Sequence, residues 1–273
     1  MSLVGRIARE PPIRLLVQWI LRGLPVSAAT RARWELVPRP HYMMGLVAAA
    51  RRAQKEKVPE IAAIEFGVAG GNGLLELERY ARIVERSFPV RIRVVGFDTG
   101  EGLPSACNDY RDHPDLWVAG DYPMNFPALR RRLDQGTELI LGDVAKTVQD
   151  WVSERQSGPL GFAAFDLDLY SSTREALVVL AHDKRRTLRR TFLYFDDVLG
   201  SHYHQFAGEL LAIREFNDSQ VDVRIDRWRG LGTELVFPES GWVQKMYVAH
   251  DLLAISRFQM SRGPECGRLR LRS

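Results

Sequence analysis

Two acidic clusters follow two apolar runs that lie about thirty residues apart, and together they contain Asp166, Asp168, Asp196 and Asp197. The runs 160–165 and 191–195 each predict a buried strand of a parallel sheet, and the stretch 173–190 predicts the helix that connects them. Such a βαβ unit brings both clusters to the carboxyl edge of one sheet, where open α/β sheets bind their ligands. Because carboxylates held together repel one another unless a cation or protons offset their charge, the pattern predicts a metal site.

The residue types at this edge favour a hard cation. Carboxylate oxygens without an accompanying cluster of Cys or His favour Mg²⁺ over zinc. A cation near a hydroxyl group lowers its pKa, and a neighbouring carboxylate can then take the proton. Two other interpretations stay open: the aspartates cap strand ends in contact with solvent, or they bind a polar ligand by hydrogen bonds without a metal.

A glycine-rich turn, Glu65-Phe-Gly-Val-Ala-Gly-Gly-Asn-Gly73, lies between a predicted strand (61–64) and a predicted helix. Its glycines remove side chains where the polar backbone of a ligand approaches closely, although a tight strand-to-helix turn is the alternative. The spacing differs from Gly-x-Gly-x-x-Gly, which disfavours a dinucleotide-dependent dehydrogenase. Asp98 ends the next predicted strand (92–97) and is suited to accept hydrogen bonds from the hydroxyls of a ribose, or to act as a turn or cap residue.

Composition predicts an ordinary globular protein. The chain has 273 residues, of which 45% are hydrophobic and 26% charged, as expected for one large α/β domain or for a domain with extensions. No apolar stretch reaches the ~18–20 residues that span a bilayer, and no signal-peptide pattern is found. Cys107 and Cys266 are the only cysteines, too few for a disulfide framework, so we expect a cytoplasmic protein.

The positive charge is concentrated at the two ends of the chain. The whole chain has a formal charge of +4, but residues 1–40 carry +5 and residues 257–273 carry +4, which leaves −5 for residues 41–256. A groove that follows phosphates requires the opposite distribution, so we expect no nucleic-acid partner.

The order of elements predicts three regions and a Rossmann-like fold. Residues 1–40 form a helical arm, residues 41–256 the main domain with an irregular loop at 104–127, and residues 257–273 a basic tail. Strands that alternate with helices predict a doubly wound, mostly parallel seven-stranded sheet with helices on both faces and an antiparallel last strand. The amphipathic part of the arm is predicted to pack on the domain, and homo-oligomerisation or contact with a membrane surface are the alternatives.

Three features allow more than one interpretation. His202 and His204 belong to a polar loop or assist the acidic site. Tyr110 and Trp117 in the irregular loop stack on a ring-shaped substrate or pack against the domain. The basic run 184–190 is predicted to end the crossover helix as a solvated face, because cations suit a helix C-terminus.

The motifs together resemble the class I S-adenosylmethionine-dependent methyltransferases. The turn 65–73 resembles their first cofactor motif, Gly96-Phe-Asp-Thr-Gly-Glu-Gly-Leu-Pro104 the second, and Leu141-Gly-Asp-Val144 the adenine-contacting motif. The run Phe-Asp-Leu-Asp-Leu-Tyr-Ser-Ser-Thr, followed by Phe-Asp-Asp, resembles the macrocin O-methyltransferase (TylF-like) family, whose members are Mg²⁺-dependent and methylate sugar hydroxyls in antibiotic biosynthesis. The resemblance extends over residues 39–247.

The resemblance implies a role for each matched residue. It implies that Glu65, Gly67 and Gly71 hold the methionine part of S-adenosylmethionine, Asp98 the ribose, and Gly142 with Asp143 the adenine. Asp166 would border the cofactor and ligate Mg²⁺ together with Asp196 and Asp197, and Asp168 would be the general base. Val198 departs from the tyrosine common in that family, and the segment 199–205 also differs, which leaves the acceptor open.

The sequence therefore predicts a Mg²⁺-dependent O-methyltransferase that uses S-adenosylmethionine and acts on a hydroxyl of a small molecule, such as a sugar or natural-product glycoside. A methyltransferase for another small molecule that needs no metal, and a non-catalytic binding protein with a nucleotide-binding fold, are the alternatives. The Asp/Asn-Pro-Pro-aromatic and Pro-Cys motifs of nucleic-acid methyltransferases are absent from the chain.

Overall fold

The computed structural model of the chain describes residues 10, 12–105, 109–154, 158–181 and 187–258. The predictions for Cys107, for Cys266, for residues 182–186 and for nearly all of the basic tail lie outside these ranges. Within them, no helix is both long and apolar enough to cross a membrane.

A seven-stranded sheet forms the centre of the molecule, with the strand order β3-β2-β1-β4-β5-β7-β6. β1 to β5 pair in parallel, whereas β7 runs antiparallel to both of its neighbours. The predicted fold class, including the antiparallel last strand, is confirmed. The strands are β1 (Glu60–Phe66), β2 (Arg91–Asp98), β3 (Glu138–Leu141), β4 (Leu160–Phe165), β5 (Thr187–Phe195), β6 (Val223–Arg227) and β7 (Met246–Asp251).

Helices cover both faces of this sheet. The described helices are α1 (Ile13–Gly23), α2 (Ala28–Arg33), α3 (Pro40–Glu56), α4 (Asn72–Glu85), α5 (Phe126–Arg132), α6 (Val144–Ser153), α7 (Tyr170–Ala176), α8 (Val178–Ala181), α9 (Gly208–Ser219), α10 (Leu231–Glu234) and α11 (Leu252–Ser256). Short 3₁₀ helices occupy Tyr110–Asp112 and Gly241–Lys245.

The core consists of two apolar layers, one on each face of the sheet. One layer joins α3 and α4 to the strands, and its members include Tyr42, Leu74 and Phe162. The other joins α6 and α9 to the opposite face, with Phe66 and Phe165 among its members. β4 is buried along its whole length, as expected for a central parallel strand with helices on both sides.

The prediction of one crossover helix over residues 173–190 is wrong at residues 187–190, and residues 182–186 lie outside the described ranges. The helical part consists of α7 and α8, and Thr187–Arg190 belong to β5. Leu188 is buried, and Arg189 Nε lies 3.0 Å from Glu56 Oε1 at the end of α3. Arg189 and Arg190 therefore lie at the partly exposed start of a strand, because burial of Leu188 and the ion pair of Arg189 with α3 outweigh the helix propensity of this segment.

The apolar residues of 243–248 predict a last strand that starts at Val243, but β7 begins only at Met246. Val243 lies in the 3₁₀ helix Gly241–Lys245, where its N–H donates to the carbonyl of Ser240 at 3.0 Å. This turn brings Lys245 to the carboxyl edge of β5, as described below.

Candidate functional site

The glycine turn follows β1 in a backbone form that only glycine adopts easily. Gly67 and Gly71 have φ angles of +82° and +85°. A Cβ at Gly67 would lie 1.8 Å from the carbonyl oxygen of Asp166, and one at Gly73 would lie 1.8 Å from Glu65 Oε1. A Cβ at Gly70, by contrast, would meet nothing within 4 Å. Gly67 and Gly73 therefore bring the turn close to the acidic residues at the ends of β4 and β1, a feature that the sequence does not reveal.

Glu65 lies beneath this turn and is almost completely buried. Its Oε1 accepts a hydrogen bond of 2.5 Å from the hydroxyl of Tyr42, and its Oε2 is buried without a partner among the described residues. Burial raises the pKa of Glu65 to about 8, although the hydrogen bond from Tyr42 and the charge of Arg39 oppose the shift. A buried carboxylate with a free oxygen is suited to accept a hydrogen bond from a cationic ligand group.

Asp98, at the end of β2, holds the glycine turn in place. Its Oδ2 accepts hydrogen bonds of 2.8 Å from the backbone N–H groups of Val68 and Ala69, and its Oδ1 accepts one of 2.7 Å from Gly100. The side chain therefore combines a structural role with a position on the cavity wall, where lone pairs that these bonds leave free can meet hydroxyl groups.

Gly142 and Asp143 lie at the end of the neighbouring strand, β3. The N–H of Gly142 donates to the carbonyl of Asp98 at 2.9 Å, which ties the two strand ends together. Asp143 Oδ1 accepts from the N–H of Ala145 at 2.9 Å, so the carboxylate caps the start of α6.

Three of the four predicted acidic residues meet at one point. Carboxylate oxygens of Asp166, Asp168 and Asp197 all lie within 4.8 Å of one another. Burial, followed by the charges of Asp196 and Asp197, raises the pKa of Asp166 to about 7. Burial and the charge of Asp197 likewise raise the pKa of Asp168, whose backbone has a φ of +62°. The cluster therefore retains protons near neutral pH unless a cation replaces them.

Asp196 is held separately from these three. Lys245 Nζ donates to Asp196 Oδ1 at 3.0 Å, and the hydroxyl of Tyr194 donates to the same oxygen. Burial alone would raise the pKa of Asp196, but these two hydrogen bonds and the charge of Lys245 bring it below its usual value. Asp196 is thus an ionised partner of Lys245.

Asp197 is positioned by two groups that sequence analysis missed. Its Oδ1 accepts a hydrogen bond of 2.6 Å from Tyr203, and its N–H donates to Glu209 Oε2 at 2.9 Å. Glu209 is completely buried at the start of α9, and burial, followed by the charge of Asp197, raises its pKa well above the usual range. Asp197 Oδ2 is buried without a donor when the aspartates are ionised.

The two histidines of this region are exposed. His204 Nδ1 accepts a hydrogen bond of 3.3 Å from the N–H of Phe206. Tyr203 between them turns inward to Asp197. The interpretation of His202 and His204 as loop residues therefore fits their surroundings, and only their spacing around Tyr203 hinted at an inward side chain.

All of the predicted cofactor, metal and base residues line one cavity of about 900 Å³. The glycine turn, Asp98 and Asp143 form one part of its wall, and the acidic cluster with Asp196 forms another. The irregular loop contributes Trp117 and Tyr122, whereas Tyr110 is exposed and does not line the cavity. This volume lies in the upper part of the ~300–1,000 Å³ range of small-molecule sites.

The irregular loop is anchored beside the cavity by hydrogen bonds. Asp112 is buried and accepts hydrogen bonds from the N–H of Ser171 at 2.8 Å and from its hydroxyl at 3.0 Å. The backbone N–H groups of Leu103 and Gly120 form bonds of 2.8 Å across the base of the loop. The loop therefore has a fixed attachment to α7, next to Asp168.

No family model and no curated protein matches the chain. Among solved structures, the calicheamicin methyltransferase CalS11 is 23% identical with a TM-score of 0.50, and the match covers 81% of this chain and 90% of that one. The O-methyltransferase NovP is 18% identical over 64% of this chain and 70% of its own, at a TM-score of 0.46. The O-methyltransferase TomG from Streptomyces achromogenes, solved in complex with SAM, is 16% identical over 86% and 95%, at a TM-score of 0.47. The chain has the fold of the calicheamicin methyltransferase.

Proposed function

We propose that the protein is an O-methyltransferase that transfers the methyl group of S-adenosylmethionine to a hydroxyl of a small molecule, such as a sugar or a natural-product glycoside. The observation that carries this proposal is the single cavity in which a glycine turn with Asp98 and Asp143 faces a cluster of buried carboxylates. The fold shared with the calicheamicin methyltransferase supports the same reaction class.

The first half of the cavity fits the cofactor. Glu65 offers a buried, unpartnered oxygen to the ammonium group of the methionine part, and the glycine turn keeps the space above it free of side chains. Asp98 would accept hydrogen bonds from the ribose, and Gly142 with Asp143 would border the adenine, since all three residues line the same wall. Asp166, beside the turn, would border both the cofactor and the acceptor.

The second half of the cavity fits a divalent cation, for which we propose Mg²⁺. The buried, unpartnered Asp197 Oδ2 and the raised pKa values of Asp166 and Asp168 are the features of a cluster that binds positive charge. The donors are all oxygens, which suits a hard cation. When bound, S-adenosylmethionine supplies the methyl group, and the cation supplies the positive charge that favours an ionised acceptor hydroxyl.

We propose that Asp166 and Asp197 hold the cation and that Asp168 takes the proton of the acceptor hydroxyl. Asp168 is suited to this role because it lies at the junction of the acidic cluster and the loop that carries Trp117 and Tyr122. These aromatic side chains would cover the acceptor and exclude water from it. Asp196, a predicted cation ligand, accepts a hydrogen bond from Lys245 and is left out of the proposed pair of ligands.

Methyl transfer from labelled S-adenosylmethionine to a panel of sugar and glycoside acceptors, with Mg²⁺ and with a chelator, tests the proposal. We expect transfer to the oxygen of at least one acceptor and its loss with the chelator. Binding of the cofactor without transfer to any acceptor would favour a binding protein, and transfer that persists with the chelator would overturn the metal assignment.

Two substitutions separate the roles of the aspartates. If Asp168 is the base alone, Asp168→Asn abolishes transfer but leaves cation binding, measured by Mn²⁺ electron paramagnetic resonance, within about twofold of the unaltered protein. Asp196→Asn tests the other residue: weaker Mn²⁺ binding would make Asp196 a ligand, and unchanged binding would leave it as the partner of Lys245. Loss of Mn²⁺ binding in Asp168→Asn would contradict the assignment of Asp168 as base alone.

A further inference from the structure

Helix α1 presents its polar side to the body of the protein. Gln18 is 6% exposed, and its Nε2 donates to the carbonyl of Trp34 at 2.9 Å. One turn earlier, Arg14 donates to Glu35 at 3.0 Å, and its guanidinium carbon lies 3.8 Å from the ring centre of Phe237. Polar groups therefore anchor this helix, the reverse of the usual arrangement for a helix on a globular domain.

The apolar side of α1 consequently faces outward. Its residues are Leu15 (61% exposed), Leu16 (56%), Trp19 (72%) and Ile20 (46%). We call these four residues the outer face. They lie on one side of the helix because their spacings are 1, 3 and 4 residues. A contiguous group of large exposed apolar side chains marks an interaction surface, since such groups are rarely left in water.

The surroundings of the outer face are basic. Residues 12–34 contain four arginines and no acidic residue. Arg22 is exposed on α1 itself, and Arg33 on α2 lies 3.7 Å from Glu234. Glu234 in turn borders a surface groove whose other charged residues are Arg51, Arg52 and Lys55 of α3. Arg14 and Arg33 are paired with Glu35 and Glu234, so among the described residues Arg22 and Arg31 carry the positive charge of this region that no carboxylate offsets.

We propose that the outer face binds the surface of an anionic lipid bilayer, with α1 lying in the plane of the interface. An exposed face of Leu, Ile and Trp next to arginines is the pattern of interfacial helices, which bury an apolar side and attract anionic headgroups. The anchoring of Arg14 and Gln18 on the protein leaves this side directed outward. A second copy of the chain suits the face less well, because a symmetric contact would bring the arginines of both copies together.

Sedimentation of the full-length protein with lipid vesicles tests this proposal. Vesicles of phosphatidylcholine with an equal part of phosphatidylglycerol should bind the protein at least ~tenfold more strongly than phosphatidylcholine alone, and high salt should remove most of the difference. Trp19→Glu should weaken binding to the anionic vesicles by ~tenfold or more, because it removes an exposed aromatic side chain that would enter the bilayer interface and adds a negative charge.

Val221→Glu is the matched control, because it makes the same change in charge at an apolar residue that is 78% exposed and lies between α9 and β6. It should change binding less than ~twofold. Quenching of tryptophan fluorescence by brominated lipids, measured on the unaltered protein, should report contact with acyl chains without any variant.

Three results would overturn the proposal. The first is equal binding to neutral and anionic vesicles, and the second is no quenching by brominated lipids. The third is a lipid-free dimer, seen by light scattering, that Trp19→Glu dissociates and Val221→Glu does not; that result would assign the outer face to a second copy of the chain.

Discussion

At the scale of single residues, the site is defined by buried carboxyl groups whose charge is not balanced by protein donors. Glu65 and Asp166 have raised pKa values, and Asp197 has an unpartnered oxygen. Neutral side chains in place of these carboxyl groups would be less costly to folding, since buried unpaired charges are unfavourable. Their retention is explained if cationic ligand groups enter the cavity.

The protonation of Glu65 can be measured through cofactor binding. Because burial raises its pKa to about 8, the side chain is mostly protonated at neutral pH and ionises when the ammonium group of S-adenosylmethionine binds beside it. Cofactor binding at neutral pH should therefore release a proton. Calorimetric titration in two buffers with different ionisation enthalpies measures that release directly.

The matching substitutions give the control for this measurement. Glu65→Gln should abolish the proton release and weaken cofactor binding by ~tenfold or more, because it removes a charged acceptor. Glu60→Gln, at the other end of β1 and paired with Arg91 on the surface, should change neither quantity. Proton release that persists in Glu65→Gln would show that another group titrates.

At the scale of elements, the turn after β1 joins the two halves of the site. Gly67 is packed against the backbone of Asp166, so the conformation of the turn and the position of the acidic cluster depend on each other. Gly67→Ala should lower the free energy of unfolding by about 2 kcal/mol or more, since it adds a clash to an unfavourable φ angle. Chemical denaturation measures the change.

Gly70→Ala provides the control within the same turn. A Cβ there has open space and Gly70 does not have a positive φ, so the free energy of unfolding should change by less than about 0.5 kcal/mol. Equal effects of both substitutions would mean that the turn tolerates side chains generally, and that its closeness to Asp166 has no consequence for stability.

The sequence was sufficient to predict the helices and strands with a clear hydrophobic periodicity and the site residues at strand ends. The parallel order of the sheet and the meeting of Asp166, Asp168 and Asp197 at its carboxyl edge followed from alternating strands and helices. Residues brought in by tertiary packing were not predictable. Tyr42 reaches Glu65 from α3, and Lys245 reaches Asp196 from a turn before β7, although neither belongs to a motif.

At the scale of the whole molecule, a tightly packed layer beside the site contains a histidine that burial keeps neutral. His41 of α3 is 9% exposed, and its ring stacks on Tyr194 with centroids 4.1 Å apart. Burial, followed by the charge of Arg39, lowers the pKa of His41 to about 3 from its ordinary 6.5. The folded protein therefore holds His41 neutral over a range where the unfolded chain binds a proton.

This difference predicts how stability depends on pH. The pKa of His41 is depressed in the folded state, so its contribution to the free energy of unfolding decreases as the pH falls from about 6.5 towards 3. In His41→Phe, which retains a ring against Tyr194, that decrease should be absent. The difference in free energy of unfolding between the unaltered protein and His41→Phe should change by up to about 1.4 kcal/mol per pH unit in this range. Parallel stability curves, measured by urea denaturation at a series of pH values, would contradict the neutral state of His41.

The central claim is that one cavity holds S-adenosylmethionine next to a divalent cation. Crystals grown with S-adenosylhomocysteine and Mn²⁺, examined by anomalous diffraction at the manganese edge, test it most directly. We predict electron density for the nucleoside between Asp98 and Asp143, with its amino acid part at Glu65, and an anomalous peak bordered by Asp166 and Asp197. A ligand bound elsewhere, or a peak absent from these carboxylates in crystals that contain the ligand, would contradict the account.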